Sequence, residues 1–293
     1  MAFDAARRTT TVFSGGGVGS GGVDAETWTW DGLTWNRQSP PVSPPARSGA
    51  SFAYHPPTKT VVLFGGQKVD HDYLGDTWLW NGRSWTAALG AGPGPRSYAS
   101  MAFDSSTRSL ILFGGYNPFE LADTWKWDGK SWQSLSPKSP PDHVKYASFA
   151  YSASMGKLIL FGGSHFRTAP GDNFAWAWDG MNWSEVTFDP SPPGRALAAM
   201  ASDPNGRLIL LFGGGAGITK VGGKETVASG NLGDTWTFTR KWSQDTQTPA
   251  PSPRYGAALA PDPSGNSFLL FGGETEWSKP SNRLGDTWSW GPY

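Results

Sequence analysis

The sequence predicts an all-β chain built as one array of six repeating units, each about 50 residues long. Three observations predict it. A pair of aromatics two residues apart recurs as Trp28/Trp30, Trp78/Trp80, Trp125/Trp127, Trp176/Trp178, Trp236/Phe238 and Trp288/Trp290. A further tryptophan follows five of these pairs, at Trp35, Trp85, Trp132, Trp183 and Trp242. Ahead of each pair, an apolar run closes on Phe-Gly-Gly at 64–66, 113–115, 161–163, 212–214 and 271–273, or on Phe13-Ser14-Gly15 in the first unit.

Each unit reads as four strands. Strand one, Ser51 to Tyr54 in the second unit, is led by Ser48, Gly49 and Ala50. Side chains that small let such strands converge on a common axis. Strand two, Val61 to Phe64, is apolar without interruption, so both its faces are expected to be buried. Strand three carries its two aromatics on one face. Asp31-Gly32, Asn81-Gly82, Asp128-Gly129 and Asp179-Gly180 then predict tight type I′ hairpins into strand four. Unit five runs Thr237-Phe238-Thr239-Arg240-Lys241-Trp242, one residue shorter and without glycine, which predicts a different turn.

The order of apolar run, Gly-Gly, variable loop, acidic residue, paired aromatics, turn and Trp resembles the kelch repeat, over six units and essentially the whole chain. The resemblance implies a six-bladed β-propeller of four-stranded antiparallel blades around a central channel. It implies a single domain, 1–293, with repeats near 1–46, 47–95, 96–143, 144–194, 195–253 and 254–293. The terminal blades are expected to be incomplete: the first lacks most of strand one and the last lacks strand four. The sixteen register tryptophans are then core and inter-blade packing, each removing roughly 150–250 Å² from water. At about 25 cal/mol per Å² that is about 4–6 kcal/mol apiece as an upper estimate.

Composition narrows the function. The 24 basic and 24 acidic residues cancel, so neither nucleic acid nor an anionic membrane is an expected partner. No stretch of about 18 apolar residues offers a membrane span. No signal peptide opens the chain. Met1 stands at the repeat position of Phe52, partway into a strand, so the chain reads as a trimmed piece whose longer form could carry a secretion or surface signal. The expected molecule is soluble and monomeric. Galactose oxidase shares the kelch architecture, but its copper cofactor needs a cysteine crosslinked to tyrosine, and this chain has no cysteine. The resemblance is therefore to a galactose-oxidase-like propeller without the copper site. No G-x-S-x-G elbow, P-loop or H-E-x-x-H is present, and no cofactor or metal is expected.

Strand parity places the two–three and four–one loops on one face, here the loop face, and the short one–two and three–four turns on the other. Long loops on a rigid scaffold are where binding usually resides. The expected function is a binding scaffold that holds a protein segment or a glycan there. The rival is an enzyme acting on a sugar or small acid at the channel mouth, epimerase- or lyase-like, since bacterial sialic-acid epimerases also resemble six-bladed kelch propellers and would use acids and arginines there. A third reading is a structural repeat module of a larger surface protein.

Candidate ligand contacts follow. Arg47, Arg96, Arg195 and Arg254 each precede strand one and would ring the channel mouth, where guanidiniums could grip a carboxylate bidentately. The plainer reading pairs each with an acid of the Glu26, Asp76, Asp123, Asp234, Asp286 series. In unit four, Val144 takes the arginine position, with Lys145 one residue later, and Phe174 takes the acid position. Tyr116, His71 and His165 lie in loop-face segments; His143 flanks unit four, and the spacing of these histidines matches no metal site. His55, in a Pro-rich turn, is expected to be structural. Trp277, the one tryptophan outside the register, would form a patch with Glu276, Arg283 and Arg254.

Overall fold

Strands joined by short connections pair antiparallel and in sequence order in every unit. Blade two shows the plan: Ser51–His55, Thr60–Phe64, Thr77–Trp80 and Trp85–Ala88 lie side by side. The structure, a computed structural model, describes residues 1–15, 23–69, 72–142, 144–164, 174–216, 218–221, 224–227, 230–276 and 282–291, without the side chains of 217–229. Five sheets of four strands and one of three, with the first strands of successive sheets packed against one another, make an all-β six-bladed propeller. Strand one of blade one is reduced to Ala2–Asp4. Blade six has only Ala258–Pro261, Phe268–Phe271 and Thr287–Trp290 among the described residues. A small hairpin, Ile218–Val221 with Lys224–Val227, rises from the long loop of blade five.

Strand two is sandwiched as its composition requires. Val61 and Leu63 pack toward blade one, beside Ala2, and Val62 packs toward blade three, beside Leu110 and Trp127. Ala50, Ala99, Ala147, Ala198 and Ala257 border the axial channel. The Ser51, Ser100 and Ser148 hydroxyls donate to the carbonyls of Ala99, Ala147 and Ala198 of the following blades, at 2.8, 2.8 and 2.9 Å. These bonds satisfy polar groups that the crowded axis buries.

One junction motif joins the blades. The strand-four indoles of Trp85, Trp132 and Trp183 donate to the hydroxyls of Thr27, Thr77 and Thr124 of the preceding blade, at 2.9, 2.9 and 3.0 Å. The same indoles receive the rings of Phe13, Phe64 and Phe113, at centroid distances of 5.2, 5.4 and 4.9 Å. The Gly-Gly pair closes the contact. A Cβ on Gly65 would meet the Arg96 carbonyl oxygen of the next blade at 2.5 Å, and the φ of +67° there also favours glycine. Blades one and six join through Trp35, which packs on Phe271 at 5.1 Å.

Two local expectations are corrected. The first tryptophan of each pair is only half-buried, Trp236 excepted, because it stands at the loop-face end of strand three; Trp80, Trp127 and Trp178 carry the deeper burial. The hairpins are not type I′. In blade two Gly82 alone of the two central residues has positive φ, +90°, and Asn81 Oδ1 accepts from the amides of Arg83 and Ser84, both at 2.9 Å. Glycine at the first central position is the type II′ arrangement. The side chain of the preceding Asn or Asp replaces a backbone carbonyl as acceptor. Backbone hydrogen bonds, from Thr34, Ser131 and Asn182 respectively, hold Asp31, Asp128 and Asp179 below the usual carboxylate range. Unit five turns differently, as expected, with three residues between the paired Phe238 and Trp242.

Candidate functional site

The four register arginines turn into their own blades instead of opening onto the channel mouth. Arg47 is 1% exposed; its Nη1 and Nη2 bond Asp76 at 2.5 and 2.8 Å, Nη1 also bonds the Gly65 carbonyl at 2.9 Å, and Nε bonds that of Pro45 at 2.9 Å. Arg96–Asp123, Arg195–Asp234 and Arg254–Asp286 repeat this geometry. The second acid oxygen also accepts an indole N–H, from Trp78, Trp125, Trp236 or Trp288. Burial works to raise the carboxyls of Asp76, Asp123 and Asp234. Hydrogen bonds from the paired arginine and the tryptophan outweigh it and hold all three low. Hydrogen bonding from Arg254 likewise lowers Asp286. The pairing expected from the repeat register is thus what the arginines do, and their donors are taken up within the fold. None of the four acids has the raised pKa that would mark a general acid.

Blade four loses both partners together. Val144 and Phe174 occupy the two positions and pack in one apolar cluster. Replacing a buried ion pair with matched apolar groups is a low-cost exchange. Lys145 instead reaches across to the loop of blade three, with Nζ 3.2 Å from Glu120 and 4.2 Å from the centre of the Tyr116 ring.

A second ring of residues, two positions after the arginine register, forms the loop-face rim. It consists of Gly49, Tyr98, Tyr146, Leu197 and Gly256, all with φ between +56° and +65°. Their backbones bond in series around the axis: Tyr98 N–H to Gly49, Tyr146 to Tyr98, Leu197 to Tyr146 and Gly256 to Leu197, at 2.7, 3.4, 3.0 and 2.9 Å. Two blades place glycine there, for which this backbone is free. Three place bulky residues, for which it is strained. Tyr98 and Tyr146 meet edge to face at 4.6 Å, with Leu197 packed beside them. The Tyr255 hydroxyl donates to Glu274 at 3.0 Å, and Arg283 pairs with the same carboxylate at 3.4 Å. Burial, and then the Glu274 charge, push the Tyr255 phenol up. The rim therefore offers the half-buried Tyr98 ring, backed by the buried Tyr146, beside polar groups already set by their neighbours.

No protein-family model matches the chain, and no curated protein matches it significantly. The site rests on this geometry alone. Among the described residues no group of three or more His, Asp or Glu side chains is placed to hold a metal ion, and no helix is long and apolar enough to cross a membrane.

The sequence-predicted residues are only partly brought together. Tyr116 joins the Lys145–Glu120 cluster. Glu276 is exposed on the blade-six loop, Arg283 is half-buried against Glu274, and Arg254 is buried in its blade. Trp277, His71, His165 and His143 lie outside the described residues. His55 is fully buried at the end of strand one, its Nδ1 2.8 Å from the Thr58 hydroxyl, which is a structural place. Sequence reasoning missed Tyr98, Tyr146 and Leu197. Their signal was a register just before strand one that holds glycine in blades two and six and a bulky residue in the three between.

Proposed function

We propose that this chain is a kelch-type binding scaffold that holds a protein segment or a glycan on its loop face, at the mouth of the channel. The observation that carries the reading is the strained rim: Tyr98, Tyr146 and Leu197 keep bulky side chains at positive φ where Gly49 and Gly256 show that the fold needs none. Strain of this kind clusters at binding sites, where the fixed side chain repays it. Tyr98, half-buried and held edge to face against the buried Tyr146, gives a fixed ring with a hydroxyl at its edge, which suits a sugar ring or a peptide side chain. Glu274–Arg283, partly exposed, adds charge that could orient a polar ligand, while the buried Lys145 holds Glu120 and the Tyr116 ring in place.

The test is a screen of immobilised glycans and peptides with the purified chain, repeated with Tyr98→Ala and Tyr116→Ala. The reading expects a ligand whose binding both variants weaken while the ring still melts cooperatively. A ligand whose affinity neither variant changes would move the site away from the rim.

A further inference from the structure

Equal numbers of acids and cations over the whole chain hide an uneven split between its two faces. On the turn face, opposite the rim, the short turns of blades one to three expose Arg8, Lys59, Arg83, Arg108 and Lys130 against two exposed acids, Asp31 and Asp128. The turns of blade two, 56–59 and 81–84, hold no acid. Packing gathers these cations. The three–four turn of each blade lies on the one–two turn of the blade before it: a Cβ on Gly82 would meet the Arg7 side chain, and one on Gly129 would meet Thr58 and His55 at 2.7 Å. The Arg83 turn therefore lies on the Arg8 turn, and the Lys130 turn on the Lys59 turn. Arg7, paired with the buried Asp4, ties the strip together by donating to the Lys59 carbonyl at 2.8 Å. The backbone sets these cations apart from ordinary surface charge. Arg8, Lys59 and Arg108 stand at φ of +53°, +55° and +55°, whereas blades four, five and six place Gly156, Gly206 and Gly265 at the left-handed position of the same turn. The N–H of Lys59 and of each of those glycines donates to the carbonyl three residues back, at 3.2, 3.3, 2.9 and 2.8 Å. Glycine takes this backbone freely, and a lysine or arginine takes it at a cost. Three adjacent blades bear that cost and keep a cation.

We propose that the turn face is a docking surface distinct from the rim, and that its partner is an acidic polypeptide segment carrying one large apolar side chain. At the centre of this face the channel opens as a pocket of about 230 Å³ lined by Tyr54, Phe103, Tyr151 and Met200. Ala5, Pro56 and Ser105, which begin the basic turns, border the same pocket. Met181, 73% exposed in the turn that lies on Ser106 and Thr107, adds apolar surface beside the Arg108 turn. Strip and pocket together select the partner class. The strip alone would suit any polyanion. The pocket adds a place for an apolar anchor of the kind that polypeptide interfaces use. A polynucleotide would meet Asp31 and Asp128 beside its phosphates and has no apolar side chain for the pocket. The segment therefore lays its carboxylates along blades one to three and its anchor in the channel mouth.

Fluorescence anisotropy of the purified chain with labelled peptides tests this surface apart from the rim. The probe is a short peptide of aspartates and glutamates around one tryptophan. One control replaces the tryptophan with alanine, a second replaces the acids with lysines, and a single-stranded oligodeoxynucleotide of equal charge is the competing polyanion. The expected result is saturable binding of the probe that weakens as salt is added, with the alanine control about tenfold weaker and the lysine control not bound. Lys59→Gly with Arg108→Gly should lose about tenfold in affinity and melt no lower than the wild type, because blades four to six already carry glycine there. Tyr151→Ser, which copies Ser202 at the same register of blade five, should weaken the probe and leave the alanine control unchanged. Tyr98→Ala should change neither. Arg83→Ala with Lys130→Ala repeats the charge test if the glycine pair does not fold. No saturable binding of the probe, equal binding of the alanine or lysine control, tighter binding of the oligodeoxynucleotide, or affinity unchanged in both charge variants would overturn the proposal.

Discussion

Trp35 Nε1 donates to the Thr287 hydroxyl at 3.0 Å, across the seam where the first blade meets the last. This is the same bond that Trp85, Trp132 and Trp183 make to Thr27, Thr77 and Thr124. The ring is therefore closed by the contact that joins its interior blades. At the junction of blades five and six, Trp290 of strand three packs on Phe212 at 5.3 Å, a place that strand-four tryptophans take elsewhere. Trp35→Ala should accordingly cost about 3–5 kcal/mol, as for a packed large aromatic. Trp35→Phe, which keeps most of the packing and loses the hydrogen bond, should cost about 1 kcal/mol. Denaturant unfolding of the two variants checks the order.

The junction of blades four and five has the strand-four indole but lacks the bond, and restoring it should stabilise the ring. Trp242 is buried against Ala175, which stands in the threonine register, and its Nε1 has no hydrogen-bond partner among the described residues. Ala175→Thr would supply the acceptor that four other junctions contain. The expected gain is about 1 kcal/mol, seen as a higher melting temperature. The gain should vanish in the Trp242→Phe background, since only the indole N–H can use the new hydroxyl. A loss of stability in the wild-type background would mean that the site is too tight for the added methyl and hydroxyl.

The arginine–acid pairs should set the acid limit of stability. Arg195 is fully buried, and Asp234 bonds both of its terminal nitrogens. Burial raises the Asp234 carboxyl, but the hydrogen bonds from Arg195 and Trp236 outweigh it, so the folded pKa lies below the unfolded one. A depressed acid contributes stability that is present above its unfolded pKa and is lost as pH falls through the folded value. Asp234→Asn should cost about 3–5 kcal/mol at neutral pH, because it leaves the Arg195 charge buried and unpaired. It should also flatten the fall in stability below about pH 4. Melts of both proteins between neutral pH and pH 3 read both effects.

The residues legible in the sequence were those whose register carried their environment with it. Leu63, Trp80 and Arg47 each recur in blade after blade, so the repeat itself names their neighbours, including the Asp76 partner of Arg47. The turn type was less legible, because the Asn81 side chain takes amides that a backbone carbonyl would otherwise bind. Trp78 looked as buried as Trp80 because two residues on one strand face share a direction but not a depth. The rim was the least legible. A tyrosine at φ +56° runs against its own backbone preference, so local propensity points away from the conformation that the blade imposes on Tyr98.

His55 should make stability fall between neutral and mildly acidic pH. Burial lowers its folded pKa below the ordinary 6.5, against smaller opposing effects of the Arg108 carbonyl and Asp128. The unfolded chain then binds a proton that the folded ring resists, so stability is full above about pH 6.5 and declines as pH falls toward the folded pKa. His55→Ser, which copies the blade-four residue Ser152, removes only the histidine contribution. The wild type should therefore lose more melting temperature than the variant between pH 7.5 and 5.5, and equal losses would mean that His55 titrates alike in both states.

The last prediction reads the rim strain directly. Tyr98 stands at φ +56°, its amide bonded to the Gly49 carbonyl at 2.7 Å and its own carbonyl accepting from Tyr146 at 3.4 Å. Those bonds fix the backbone whatever the side chain is. Tyr98→Ala removes the ring and keeps a Cβ in the left-handed region. Tyr98→Gly removes both. In ordinary strand or helix positions glycine is the less stable choice, because it gives up more freedom on folding. Here the order should invert, with Tyr98→Gly more stable than Tyr98→Ala by about 1 kcal/mol, since a left-handed L-residue costs about that much. Leu197, at φ +56°, should show the same inversion. Denaturant unfolding of the two pairs of variants settles it. Alanine proving more stable than glycine at both sites would mean that the backbone is not held left-handed, and would remove the strain on which the rim's role as a binding site rests.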